Sequence, residues 1–324
     1  MNIYLTYDYE LFFGNDSGTV EKCMLLPTKK LMKLCEGRKV RMTFFVDVGY
    51  LLTAEKYPEL TEEVSKVKAQ IHEMIEQQHD VQLHIHPHWE KSSWSNGRWS
   101  FGTDSHYKLS DFSKKEAAAI VRKYKNYLEG IIGRPVSTFR AGGWCIQPFD
   151  HLEEVFKETG IRIDSSVIPG DFLETASYAI DFREAPMKSN YRFQSDITKE
   201  NQQGDFIEYP IGSLRYSPLF FWRLYILGRL FPAKHKMVGD GNFLSQGGRK
   251  KRKLTQFTIG HVSTDGYYAS KLDAAVNKYE NLQFDDLVII GHPKGNTAFS
   301  VEQLSRFIQK YHNKHQFLTF QQVS

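Results

Sequence analysis

Short apolar runs recur along the chain, and nearly every one stops on an acid, an arginine or a histidine. Residues 3–7 run into Asp8, 41–46 into Asp47, 81–83 into His84, 137–139 into Arg140, and 161–163 into Asp164. Later, 257–260 run into His261 and 287–291 into His292, and 317–320 form a last short run. Each run reads as a buried strand. Between them lie segments with helical spacing at 27–35, 61–78, 113–132, 148–159, 270–279 and 301–311. Gly37 and Gly160 stop two of these helices, and Ser113 with Glu116 three residues on forms a capping box. Strand and helix alternate at intervals of roughly 35 to 40 residues, which predicts parallel βαβ units. In such folds the active site gathers at the C-terminal ends of the strands. The polar residues that end these runs fall there.

The alternation lapses over residues 167–256. Extended pieces stand at 178–182, 191–193 and 205–209, followed by an apolar stretch at 218–231 and a basic cluster at 249–253. No repeat or Pro/Gly-rich linker divides the chain. The expectation is a single α/β domain over 1–324, with a long insertion at 167–256 between the fifth strand and the sixth. Residues 91–111 read as a shorter loop insertion.

Composition narrows the function classes. Hydrophobic residues make up 41% of the chain and charged residues 25%, the balance of a soluble globular protein. The 42 Lys+Arg against 38 Asp+Glu give only a mild positive excess, which does not argue for a nucleic-acid partner. No apolar run reaches the roughly 18 residues of a membrane span. The N-terminus, Met1-Asn2-Ile3-Tyr4-Leu5, lacks the basic and apolar regions of a signal peptide, so a cytoplasmic location is expected. Cys23, Cys35 and Cys145 form no CxxC pair and read as reduced, buried thiols.

The strongest chemical signal is Asp80-Val81-Gln82-Leu83-His84-Ile85-His86-Pro87-His88-Trp89, three alternating histidines at a strand end. Imidazole is the commonest side-chain metal ligand. Two histidines and a carboxylate suit a borderline divalent ion such as zinc, and three protein ligands with an open position make a catalytic site. His84 and His88 have the spacing of a helical zinc-protease motif. Ile85 replaces its glutamate, however, and Pro87 disfavours helix. There is no G-x-S-x-G elbow and no phosphate-cradling glycine loop after a strand. His261 and Asp47 also end strands, without a motif behind them.

In order, these strand ends resemble the motifs of the polysaccharide deacetylase family, the NodB-homology or carbohydrate esterase family 4 hydrolases. Thr6-Tyr7-Asp8-Tyr9-Glu10 is similar to the family's T-F-D-D, and His84-Ile85-His86-Pro87-His88 to H-[ST]-x-x-H. Arg140-Ala141-Gly142-Gly143-Trp144 is similar to R-x-P-x-[GY], Asp164-Ser165-Ser166 to the Asp-Ser-Ser strand end, and residues 287–292 to the apolar strand that ends in His. The resemblance implies an irregular (β/α)7-type barrel and metal-dependent removal of N- or O-acyl groups from sugars. It makes Asp8 the base, His84 and His88 metal ligands, and His86 a bystander. Arg140 would orient Asp8, His292 would be the acid, and Asp164 would hold His292. Tyr9 stands where the family has its third ligand, so Glu10, on the same side of the strand as Asp8, is expected to supply that carboxylate. Ile85 and Gly142 are further departures. Trp89, Trp144 and Gly143 are expected to wall the substrate pocket.

The implied cofactor is a divalent metal, zinc first, with Co, Mn, Fe and Ni as alternatives. The implied partner is an N-acetylated sugar, such as a precursor of a surface polysaccharide. An inactive sugar-binding scaffold, motivated by Tyr9, and an amidase acting on a non-sugar C–N bond are the rival readings. Residues 218–232 and 249–253 read either as a packed lid with a solvated loop or as a contact with a membrane or lipid-linked substrate.

Overall fold

The structure, a computed structural model, describes residues 1–175, 178–244 and 249–323, without the side chain of Arg249. Its centre is β1, Asn2–Tyr9, buried from Ile3 onward. It pairs in parallel with β2, Met42–Asp47, on one side and with β7, Asp286–Gly291, on the other. Beyond β2 the sheet continues in parallel through β3 (Asp80–Ile85), β4 (Thr138–Ala141), β5 (Ile163–Asp164) and β6 (Phe206–Glu208). Strands flanked on both sides must be apolar on both faces. Tyr4 and Leu5 on β1, Phe44 and Phe45 on β2, and Val288 and Ile289 on β7 meet that condition, while β3 buries Gln82 and His84 opposite Val81 and Leu83. The helices Leu26–Cys35, Thr61–Glu76, Lys114–Ile132 and Ala298–Tyr311 each bury one apolar stripe against the sheet. Ser113 caps its helix as the sequence pattern indicates, accepting from Glu116 N at 3.3 Å.

The sheet curls, and irregular chain ties its two ends. Ile211 N donates to Val167 O at 2.8 Å, and Gly212 N donates to Val288 O at 2.8 Å. Val262 N donates to Gly212 O at 2.5 Å, and Thr264 N to Ile290 O at 2.9 Å. The result is an irregular α/β barrel.

The 167–256 segment is not wholly an insertion. Its third extended piece supplies β6, in register with β5 through Ile207↔Ile163 and Glu208↔Asp164. The apolar run at 257–260, read as the sixth strand, instead pairs antiparallel with Ser213–Tyr216 in a separate two-stranded ribbon. The reason is burial: Thr258–His261 alternates buried and exposed positions, with Ile259 in water, the pattern of a one-sided ribbon. In the loop insertion at 91–111, the hairpin Ser93–Ser95/Arg98–Ser100 turns on Asn96-Gly97, both at positive φ. It sets Trp99 edge-on against Trp89 at 4.9 Å. The three cysteines are buried and free, and no described helix is long and apolar enough to cross a membrane.

Candidate metal centre

Strand period places the centre. Asp8 and Glu10 lie two residues apart at the end of β1, so both project to the same side, while Tyr9 projects to the other. Tyr9 is buried and its hydroxyl donates to Gln70 Oε1 at 2.8 Å, on the helix Thr61–Glu76. It therefore faces away from the cleft. At the end of β3 the same period sets His84 and His86 side by side. Glu10 Oε2 lies 3.1 Å from His84 Nε2 and 2.7 Å from His86 Nε2. One ligand atom from each of the three lies within 4.8 Å of the others.

The resemblance makes His88 a ligand and His86 a bystander, but it is His86, not His88, that the geometry brings to Glu10 and His84. β3 ends at Ile85, and Pro87 starts a tight 3-10 turn, Pro87–Lys91, that carries His88 off the strand's period. His88 is packed against Phe13 at 4.6 Å and Phe101 at 5.5 Å. Among the described residues neither of its ring nitrogens finds a hydrogen-bond partner. Burial, with the His86 ring nearby, pushes its pKa well down, so it is a neutral core residue.

The three remaining side chains fit a divalent ion. His84 Nδ1 lies 2.8 Å from the carbonyl oxygen of Arg140, so it donates there and turns Nε2 toward Glu10. A neutral ring with Nδ1 protonated offers Glu10 only a lone pair, so the 3.1 Å contact requires a cation, either a proton or a metal. Burial opposes a charge on His84, but Asp8, Glu10 and Asp47 outweigh it and raise the pKa to about 9. Glu10 divides its oxygens: Oε2 faces the imidazoles, and Oε1 accepts from Lys294 Nζ at 2.8 Å. Burial favours its neutral form, yet Lys294, His86 and His84 together hold the carboxyl well below its ordinary range.

Two devices frame this centre. Arg140, fully buried over the Phe45 ring, donates through Nη1 to Asp8 Oδ1 at 2.8 Å and to Thr6 Oγ1 at 2.9 Å. Its other nitrogens are fixed on the Ser165 carbonyl and hydroxyl oxygens. On the opposite side His292 Nε2 lies 3.6 Å from Asp8 Oδ2 and 3.8 Å from Glu10 Oε1. Asp265 grips His292 twice: Oδ1 accepts from the backbone N–H at 2.7 Å, and Oδ2 lies 2.7 Å from Nδ1. Burial disfavours the imidazolium, but Asp265, then Asp8 and Glu10, raise the His292 pKa overall.

Asp164 does not hold His292. It accepts from Ser166 N at 2.9 Å and from Ser166 Oγ at 3.1 Å, and it faces Glu208 across the β5–β6 pairing. Burial raises its pKa to about 6 and pushes Glu208 well up. Trp89 is likewise not a pocket wall. It is fully buried, and its Nε1 donates to Asp47 Oδ2 at 2.7 Å. Trp144 and Gly143 do line the cleft, a cavity of about 850 Å³ that also takes in Asp8, Glu10, His84, His86, His292 and Lys294. A Cβ on Gly142 would stand 2.5 Å from His86 Nδ1, which accounts for glycine at that point of the motif.

Sequence reasoning missed Lys294 and Asp265 and undervalued His86. Asp265 follows an apolar strand and a Ser-Thr pair, a strand-end signal like the others. Lys294 sits in His292-Pro293-Lys294-Gly295, where nothing marks it as buried. For His86 the period of two was available, and the family spacing displaced it.

Solved structures share this fold. A Mycobacterium smegmatis protein assigned as a polysaccharide deacetylase aligns at a TM-score of 0.55 and 15% identity, over 99% of this chain and 88% of its own. A GH57 branching enzyme from Thermococcus kodakaraensis, solved with glucose, aligns at 0.52 and 9% identity, over 99% of this chain and 70% of its own. A 4-α-glucanotransferase from Thermococcus litoralis aligns at 0.50 and 11% identity, over 99% of this chain and 38% of its own. No family model and no curated protein matches the sequence. The chain thus has the barrel fold found in polysaccharide deacetylases, a likeness of architecture at low identity.

Proposed function

We propose that the chain is a metal-dependent hydrolase that removes an N-acetyl or related acyl group from a sugar. One observation carries the reading: Glu10 Oε2 faces both His84 and His86, with Asp8 and the Asp265-held His292 beside them. A divalent ion held by Glu10, His84 and His86 would polarise an acyl carbonyl and acidify a water.

The chain's own residues supply the proton transfers. Asp8, with Oδ1 engaged by Arg140, turns Oδ2 toward His84 and His292 at 3.6 Å or more, where it can accept a proton from the attacking water. His292 presents Nε2 to the cleft while Asp265 fixes Nδ1, so the imidazolium can protonate the departing amine or alcohol. Trp144, half-buried at the cleft wall, offers a flat face to a sugar ring. Glucan chemistry fits the site less well, because glycosidic cleavage takes a protonated carboxylic acid beside a carboxylate. Here Asp8 is paired with Arg140, Asp265 with His292, and Glu10 is held ionised by cations.

The test is acetate release from a panel of N-acetylated monosaccharides, nucleotide sugars and oligosaccharides, with protein loaded with zinc, cobalt, manganese, iron or nickel. Release that stops on chelation and in Asp8→Asn supports the reading. Absence of release from every sugar with every metal overturns it.

A further inference from the structure

The helix Pro218–Leu230 and the chain around it carry a feature that the cleft's chemistry does not use. Eleven large hydrophobic side chains are exposed among the described residues, and eight of them lie between Leu219 and Ile259. Four, Leu219, Trp222, Ile226 and Leu230, follow helical spacing and form one stripe, each about half exposed or more. Phe231 continues the stripe past the helix end at 57% exposure. The opposite face of the same helix is packed: Phe220 and Phe221 are buried against Tyr216, Tyr267 and Tyr268. The stripe is thus an outer face of an anchored element, not a frayed one.

Charge is concentrated in the same place. Of the chain's 42 Lys+Arg and 38 Asp+Glu, residues 210–255 hold ten of the former and one of the latter, Asp240. The rest of the chain therefore has five more acids than bases, and this one segment makes the protein net positive. Arg223 and Arg229 are exposed and flank the stripe on either side. The helix Arg249–Thr255, which adds exposed Lys250, Lys251 and Arg252, is tied to it, with Trp222 Nε1 donating to Leu254 O at 3.1 Å.

We infer that this face docks on an anionic lipid bilayer, with the Leu219–Trp222–Ile226–Leu230 stripe entering the interface and the Arg/Lys flanks meeting the headgroups. An apolar stripe rimmed by cations is the chemistry such a surface recognises. A second copy of the chain is disfavoured, because a two-fold interface would set these like charges against each other. A nucleic acid would take the charges but leave the aliphatic stripe in water. The inner face of the helix, through Leu224 and Gly228, walls the cleft, so docking brings the cleft mouth to headgroup depth. The docking face stands whatever reaction the cleft performs.

The experiment is sedimentation of the full chain with vesicles of pure phosphatidylcholine and with vesicles containing one quarter phosphatidylglycerol. Two triple variants are compared, Leu219→Ser/Ile226→Ser/Leu230→Ser and Arg223→Gln/Lys251→Gln/Arg252→Gln. All six side chains are exposed, and unchanged thermal unfolding confirms that the variants fold. The wild type is expected to bind the anionic vesicles and to release them as salt rises. Each basic residue removed should cost roughly fivefold, so the charge variant should lose about a hundredfold. The apolar variant should lose roughly tenfold or more. Failure of the wild type to bind anionic vesicles overturns the inference. So does unaltered binding by both variants, or a wild-type dimer that the serine variant dissociates while vesicle binding is absent.

Discussion

Lys294 Nζ donates to Glu10 Oε1 at 2.8 Å, while Glu10 Oε2 faces His84 and His86. One buried carboxylate thus serves a fixed ammonium with one oxygen and the candidate metal position with the other. Lys294 is itself buried, also donates to Leu11 O, and lies over the Phe12 ring at 4.7 Å. Lys294→Met should destabilise the metal-free protein by about 1–3 kcal/mol, because it leaves the buried Glu10 Oε1 without its donor while Oε2 keeps the imidazoles. The same change removes a positive charge beside the metal position, so divalent-ion affinity should rise about tenfold or more. Thermal unfolding in chelator and competition against a chromophoric chelator measure the two effects. Weaker metal binding in the variant would contradict this division of Glu10.

The His292–Asp265 pair predicts a pH profile. Burial lowers and Asp265 raises the His292 pKa, with the net shift upward from 6.5. The protonated ring is the active acid, so kcat/KM should fall on an alkaline limb placed above the ordinary histidine value. Asp265→Asn leaves burial in place and removes the main opposing charge, so the limb should move to lower pH. An unmoved limb would assign it to another group.

The Asp164–Glu208 pair predicts a stability profile. Both carboxyls have raised pKa values in the folded state, Asp164 at about 6 and Glu208 higher still, with burial the first cause. Their contribution is fully present below the unfolded carboxyl values and is lost as pH rises through the folded ones. Glu208→Gln keeps an oxygen for Val167 N and gives Asp164 a donor, so it should stabilise the protein at pH 8 by on the order of 2 kcal/mol, with little effect near pH 4. Equal melting temperatures of the two proteins at pH 8 would count against a strained pair.

His88 predicts a core substitution. Its ring is buried among aromatics with both nitrogens unpartnered among the described residues, and an unsatisfied buried polar group costs about 1–3 kcal/mol. His88→Phe should keep or raise the melting temperature and leave metal content unchanged. Loss of metal in that variant would return His88 to the centre.

The strand ends were legible because parallel strands buried on both faces read as apolar runs, and each stops on the residue it delivers. Asp8, Glu10, His84, Arg140 and His292 lie in or beside the cleft for that reason. Arg140 donates to Asp8, and Trp144 and Gly143 line the cavity. The same logic marks Asp164 as a strand end but not its partner, because Glu208 comes from a strand that no helix pattern announces. Asp265 reaches His292 from a chain segment that bridges β7 at Ser263↔Ile290, a long-range pairing that no local pattern encodes. Lys294 is a charge that burial alone makes significant, and burial of a single loop lysine leaves no mark in sequence.

In the proposed centre Glu10, His84 and His86 hold the metal and His88 does not. Elemental analysis of wild type, His86→Ala and His88→Ala, purified without chelator and reloaded with zinc, separates the two histidines. The wild type and His88→Ala should each hold about one equivalent, and His86→Ala should hold almost none. Retention by His86→Ala with loss from His88→Ala would contradict it.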